Sequence, residues 1–374
     1  MTTLLVILTV AFLLCVCLTP IARKVAARVG LVDHPDGGRK MHAQAIPVAG
    51  GVAVFVSATV AVAAAVFGHN PFRAELGDQT SVIIGLLLAS TTICLVGVAD
   101  DLWGLRGRHK LAGQLVAVAF VIGSGLVVRT IRVFDWEIDL GLLAIPFTMF
   151  WILGAINSLN LIDGMDGLSS CTGLIISLAI ASMAILGQQW PTACVAVALV
   201  GALLGFLCYN LPPASIFLGD SGSMLIGLVV GVLAIHSSLK APATIALAAP
   251  LAALAIPIMD TTAAILRRKL TGRSIYVTDR GHLHHCLLRR GLSPKRVLFW
   301  VSISCLITST GALASLARKN EFYAIVTTLA VIGTFIVARL FGYAEFLLLK
   351  DRLRSAGASF LHRNGQQRPH QTTI

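Results

Sequence analysis

The stretch VGVADDLWGLR, residues 96–106, sets Asp100 and Asp101 side by side, directly after an uncharged run from Thr80 to Ala99. Adjacent carboxylates repel each other, and beside an apolar run they are poorly solvated, so positive charge is required close by. Arg106, Arg108 and Lys110 follow at once, and Arg39, Lys40 and His42 form a second basic group upstream. More acid, amide and imidazole groups recur where other apolar runs stop. They are Asn160, Asp163 and Asp166 in NSLNLIDGMDGL, Asp220 in IFLGDSGS, Asp260 in IPIMDTT, and Arg280, His282, His284 and His285 in DRGHLHH. Taken singly, each Asp could be a helix cap, and Gly after Asp163, Asp166 and Asp220 fits a turn. Taken together, short carboxylates with tight glycines suit a Mg²⁺ or Mn²⁺ site that leaves room for phosphate. The histidine triplet, although Cys286 follows it directly, lacks the paired Cys or His spacing of a zinc set, so it points to phosphate or sugar instead. Carboxylates, a divalent cation and basic side chains at a membrane surface describe phosphoryl chemistry on a lipid.

The elements that must position these groups are membrane helices. The chain has 374 residues, 56% hydrophobic and 12% charged, with a mean hydropathy of +0.86. A soluble domain carries roughly 25% charged residues, so a large soluble core is excluded. Uncharged runs occupy residues 1–19, 47–67, 80–98, 112–128, 140–156, 168–187, 191–208, 222–236, 242–258, 297–316 and 322–338. The expectation is therefore an all-α integral membrane protein of about eleven spans. Residues 1–340 form the catalytic domain, and 341–374 form a basic cytoplasmic tail, disordered at its end.

All 46 charged residues (29 basic plus 17 acidic) lie between those runs. One set of connections holds 23 Lys and Arg, the other six. The positive-inside rule places the richer set, and with it every motif above, in the cytoplasm. The N-terminus is then outside and the C-terminus inside. The net +12 faces anionic headgroups and anionic substrates. Nucleic acid is not the expected partner, because the basic residues are scattered over membrane loops. The first run lacks a basic n-region and is followed by Arg23, Lys24 and Arg28, which marks a retained anchor rather than a signal peptide. The eight cysteines have no metal spacing, and disulfides are not expected. A homodimer is compatible with the sequence.

The ordered set RKMH…PVAGG, VADDLWGL…KLAGQ, NSLNLIDGMDGLSS, IFLGDSGS, PIMDTT…RR and DRGHLHH resembles the polyprenyl-phosphate N-acetylhexosamine-1-phosphate transferases, over roughly residues 1–340. The resemblance implies eleven transmembrane helices in a bacterial inner membrane, with a cytoplasmic active site. It implies that the phosphate of undecaprenyl phosphate attacks the β-phosphorus of a UDP-N-acetylhexosamine. UMP leaves, and a polyprenyl diphosphate sugar forms for a cell-envelope polysaccharide such as lipopolysaccharide. Asp220 matches the metal ligand. Asp100 and Asp101 match an aspartate pair that acts as base or by positioning, and positioning is favoured here. A phosphate monoester with a second pKa of about 6 needs no strong base. Lys110, Arg39, Lys40 and His42 would hold phosphates, Asn160, Asp163 and Asp166 the nucleotide or metal side, and the histidines the diphosphate or sugar. Leu283, inside His-x-His-His, is more similar to the GlcNAc branch than to the MurNAc-pentapeptide branch, so UDP-GlcNAc is the expected donor. The alternatives are another UDP-N-acetylhexosamine, UDP-MurNAc-pentapeptide or, in a different class, a lipid flippase or small-molecule transporter. The last is disfavoured because no span has an ionisable charge at mid-depth.

Overall fold

The computed structural model describes residues 1–33, 45–133, 136–240, 248–272, 281–342 and 347. Arg39, Lys40, His42, Arg280 and almost all of the expected tail lie outside the described residues. Helix dominates: α1 (Thr2–Val29), α2 (Gly50–Phe67), α3 (Arg73–Asp78), α4 (Thr80–Trp103), α5 (Gly107–Gly123), α6 (Ala144–Ile162) and α7 (Leu168–Leu186). They are followed by α8 (Trp190–Asn210), α9 (Gly219–Lys240), α10 (Ala248–Ala253), α11 (Ala255–Leu270), α12 (Leu283–Arg289), α13 (Pro294–Arg318) and α14 (Phe322–Val337). Among the described residues, eight helices are long and apolar enough to cross a membrane. The fourth, ninth and eleventh expected runs depart from that standard. Helix α5 has 17 residues and α14 has 16. The ninth run is broken at Leu254 and continues as α11 to Leu270, so Asp260 sits inside a helix rather than after one.

Helix α9 is the axle of the bundle. Its apolar window is 89% buried, and it packs against α2, α4, α6 and α7. Glycine makes the approach possible. A Cβ on Gly51 of α2 would collide with the backbone of Gly222, and one on Gly97 of α4 with the backbone of Ser221. Both contacts clamp the first turn of α9, which carries Asp220. The start of that turn is further tied to the stretch before α2. Phe217 N–H donates to Pro47 O at 2.9 Å, Gly50 N–H to Phe217 O at 3.0 Å and Gly51 N–H to Leu218 O at 2.8 Å.

Two short antiparallel hairpins complete the described structure. Strands β1 (Val32–Asp33) and β2 (Ile46–Pro47) pair with each other between α1 and α2. The stretch after β2 runs beside the loop before Asp220, where Val48 bridges Phe217. Strands β3 (Thr130–Val133) and β4 (Trp136–Asp139) pair between α5 and α6, at the end of those helices away from Lys110 and Asn160.

Candidate active site

Four helix ends converge. Asp100 and Asp101 occupy the last turn of α4, which Gly104 closes in the left-handed region at φ +61°. Gly supplies that conformation without the steric cost of a Cβ. Lys110 stands in the first turn of α5, Asn160 in the last turn of α6, and Asp220 in the first turn of α9. The ammonium of Lys110 lies 2.9 Å from Asp100 Oδ2 and also hydrogen-bonds Asp220 Oδ2. Asn160 Nδ2 donates to Asp220 Oδ1 at 2.7 Å and to Ser223 Oγ at 3.0 Å. Asp100 Oδ1 accepts the Leu105 backbone N–H at 2.6 Å. The cation that adjacent aspartates require is therefore Lys110, with one aspartate supplied by another part of the chain.

Asp101 has a different task. Its Oδ1 accepts the backbone N–H of Asp220 at 3.0 Å, and its Oδ2 that of Ser221 at 3.4 Å. The first N–H groups of a helix have no partner within the helix, and a carboxylate there also meets the positive end of the helix dipole. Asp101 is the cap of α9, provided by α4.

The other predicted groups divide. Asp163 follows α6 and keeps some solvent contact. Burial, and then the negative charges of Asp220 and Asp101, nevertheless push its carboxyl well above the usual carboxylate range. It lies within electrostatic reach of Asp220, Asp101 and Lys110. Asp166, three residues on, is turned away, and its Oδ2 accepts the Ala214 backbone N–H at 2.9 Å. That bond ties the α6–α7 turn to the loop before α9, so Asp166 acts as a brace. Asp260 is buried on α11, with both oxygens engaged. Oδ1 accepts the Leu283 backbone N–H at 2.7 Å, and Oδ2 lies 2.8 Å from His282 Nδ1. A carboxylate only accepts, so that His282 nitrogen carries the proton. Asp260 thus holds the histidine segment in place.

The histidines reach the cluster through His284. Its imidazole fills the space in front of Gly164, where a side chain would strike it. Its ring is buried, and among the described residues neither nitrogen has a hydrogen-bond partner. Burial, then the charges of His285 and His282, push its pKa down to about 3, which leaves a neutral imidazole facing the turn after Asp163. His282 stacks on it at 6.1 Å between ring centroids, and His285 tilts against it at 4.2 Å.

Three further polar residues join the site. Gln114, one helical turn from Lys110 on the same face of α5, is buried and exchanges amide hydrogen bonds with Asn157 at 3.3 and 3.0 Å. Ser223 accepts from Asn160. The sequence signal for the first two was an amide in or beside an apolar run at helical spacing from a motif residue.

Among the described residues, no three Asp, Glu, His or Cys side chains form a closed metal cage. Mg²⁺ asks for less, because it is held by one or two carboxylates with water and substrate phosphate completing the shell. Asp220 and Asp100, already drawn onto one cation by Lys110, fit that requirement, with the Asp163 carboxyl nearby.

Residues 83–238 match the family model for glycosyl transferase family 4, a window that contains Asp100, Asp101, Lys110, Asn160, Asp163, Asp166 and Asp220. The chain is 32% identical over 306 residues to the "Probable undecaprenyl-phosphate N-acetylglucosaminyl 1-phosphate transferase" of Bacillus subtilis strain 168, spanning 81% of this chain and 82% of the relative. It is 32% identical over 338 residues to a decaprenyl-phosphate N-acetylglucosaminephosphotransferase of Mycolicibacterium smegmatis, at 84% and 82% coverage. It is 29% identical over 301 residues to the undecaprenyl-phosphate alpha-N-acetylglucosaminyl 1-phosphate transferase of Escherichia coli K12, at 78% and 79%.

Proposed function

The chain belongs to the polyprenyl-phosphate N-acetylhexosamine-1-phosphate transferases and is a membrane phosphoglycosyl transferase, and on that premise we propose that it transfers N-acetylglucosamine 1-phosphate from UDP-N-acetylglucosamine to undecaprenyl phosphate. The products are undecaprenyl-diphosphate N-acetylglucosamine and UMP, at the first membrane step of an envelope polysaccharide. The observation that carries the reading is Lys110 held between Asp100 and Asp220, with Asn160 on the second oxygen of Asp220.

A phosphate oxygen of the lipid forms a bond to the β-phosphorus of the donor. The bond from that phosphorus to the oxygen bridging to the α-phosphate breaks, and UMP leaves with the electron pair. The sugar C1–O bond is untouched. Both reactants are anions, so the site must offset their repulsion and hold charge as it shifts to the leaving phosphate. Lys110 supplies one fixed positive charge. Asp220 would hold Mg²⁺ with Asp100 beside it, and the ion adds charge that screens the phosphates. Asn160 fixes the Asp220 carboxylate, and Asp101 fixes the helix on which Asp220 stands. Neutral His284 offers a hydrogen bond to sugar or diphosphate without adding charge, and Arg39, Lys40, His42 and Arg280 would bind the phosphates.

The bundle crosses the membrane eleven times in this reading, with its N-terminus outside and the site facing the cytoplasm, an orientation that the 23-to-6 division of basic residues supports. Purified protein given undecaprenyl phosphate, Mg²⁺ and an equal mixture of UDP-GlcNAc and UDP-MurNAc-pentapeptide should release UMP and make lipid-linked GlcNAc, identified by mass. A lipid product carrying only the pentapeptide sugar overturns the donor, and absence of UMP release overturns the reaction. Single-cysteine labelling by an impermeant reagent from outside should mark residues 69–80 and spare 267–296; the reverse overturns the orientation.

A further inference from the structure

The hairpin of β3 and β4 separates its side chains by polarity. Ile131 pairs with Ile138, Arg132 with Glu137, and Thr130 with Asp139. Directly paired residues share a face, and alternate residues along a strand do too. Ile131, Trp136 and Ile138 therefore stand on one face. Thr130, Arg132, Glu137 and Asp139 stand on the other, where Arg132 bonds Glu137 at 3.2 Å.

The apolar face is directed at the bundle, because Ile131 packs onto the buried core. The hairpin overhangs that contact. Trp136 is 78% exposed and Ile138 49%, although both look the same way as Ile131. The exposed apolar surface continues into the start of α6 through Leu142, 98% exposed, and Leu143. An isolated two-stranded hairpin is marginal in water, and this one joins two helices of a membrane bundle. The layer that its overhanging face meets is the boundary between headgroups and acyl chains, where Trp is enriched.

We propose that the β3–β4 hairpin is a membrane-surface anchor. It lies flat on the leaflet at the end of the bundle away from Asp220, with Trp136 and Ile138 in the lipid and Glu137 and Asp139 in water. It holds the α5–α6 connection, and so the far ends of the helices that carry Lys110 and Asn160, at a fixed depth.

A diazirine-bearing amino acid in place of Trp136, of Glu137 or of Ile138, in the full chain in bilayer nanodiscs, tests this directly. Irradiation and mass spectrometry read what each position touches, and thermal unfolding of each variant confirms that it is folded. Lipid adducts at 136 and 138, several-fold above those at 137, where water adds instead, are expected. Water addition at all three positions overturns the anchor. So do adducts between two protein chains at 136 or 138, which would make the face a contact between copies. Lipid adducts at equal yield at all three positions also overturn it, since the hairpin would then be immersed rather than lying flat.

Discussion

Asp101 caps the helix that carries Asp220: the backbone N–H of Asp220 donates to its Oδ1 at 3.0 Å and that of Ser221 to its Oδ2 at 3.4 Å. The two aspartates of the ADD pair are consecutive on α4, so their side chains point about 100° apart around the helix axis. One meets Lys110 and the other meets α9. A metal or base role for Asp101 would compete with these bonds.

Replacing Asp101 separates capping from chemistry. Loss of a cap costs about 0.5–2 kcal/mol. Asp101→Ala should lower the thermal midpoint of the detergent-solubilised protein accordingly, and activity should fall with it as Asp220 loses its placement. Asp101→Asn keeps an acceptor oxygen and should unfold close to the unchanged protein. Equal midpoints for all three proteins would show that the cap contributes nothing.

Glycines test the same placement without removing any functional group. A methyl on Gly51 or Gly97 has no space, because the backbone of Gly222 or Ser221 is already there. Overpacking of this kind typically costs about 1–3 kcal/mol, and here the strain falls on the turn bearing Asp220. Gly51→Ala and Gly97→Ala should each reduce turnover and stability, whereas Gly123→Ala, whose added methyl meets nothing within 4 Å, should leave both unchanged. Full activity in Gly97→Ala would mean that α9 tolerates displacement from α4.

Much of this arrangement was legible from residue types. Charges excluded from apolar runs mark the helix ends, and the carboxylates at those ends mark the candidate site. The partners were not legible. Asp163 and Asp166 occur in the same Asp-Gly setting, yet one feels the charge of Asp220 and the other braces Ala214, because that choice depends on how α6 and α7 are rotated in the bundle. Asp260 closes an apolar run in the sequence like the other aspartates, and only the packing of α11 against the histidine segment shows that both of its oxygens are engaged there. The Gln114–Asn157 pair escaped for a related reason, since an amide in or near an apolar run shows no preference for a partner until two helices are adjacent. The ninth run also misled, because hydropathy marks apolar residues and not the helix break at Leu254.

Asp220→Asn tests the primary cation site. The amide keeps the size and one acceptor oxygen, so the bond from Asn160 can persist, but the negative charge that faces Lys110, and that would hold Mg²⁺ in the proposed mechanism, is lost. Removing one charge contact that acts in the transition state costs about 3 kcal/mol, a hundredfold or more in turnover. The variant should be nearly inactive at saturating Mg²⁺ while unfolding near the normal temperature. Activity within a few-fold of normal would discard Asp220 as a ligand.

The last prediction rests on His284. Its folded-state pKa is pushed down to about 3 from an ordinary 6.5, by burial first and then by the charges of His285 and His282. Between those values the unfolded chain binds a proton that the folded protein refuses. The neutral ring therefore contributes stability that is present above the unfolded pKa and is lost as pH falls below it. From pH 7 to pH 5 the loss attributable to this group is on the order of 2 kcal/mol. Thermal unfolding across that range should show the midpoint falling as pH is lowered. His284→Gln, which cannot titrate, should fall less steeply, even though other groups still contribute to both curves. Parallel curves for the two proteins would mean that the imidazole gains a proton in the folded state as readily as in water, and hence that water or an anionic group reaches it in the turn beside Gly164.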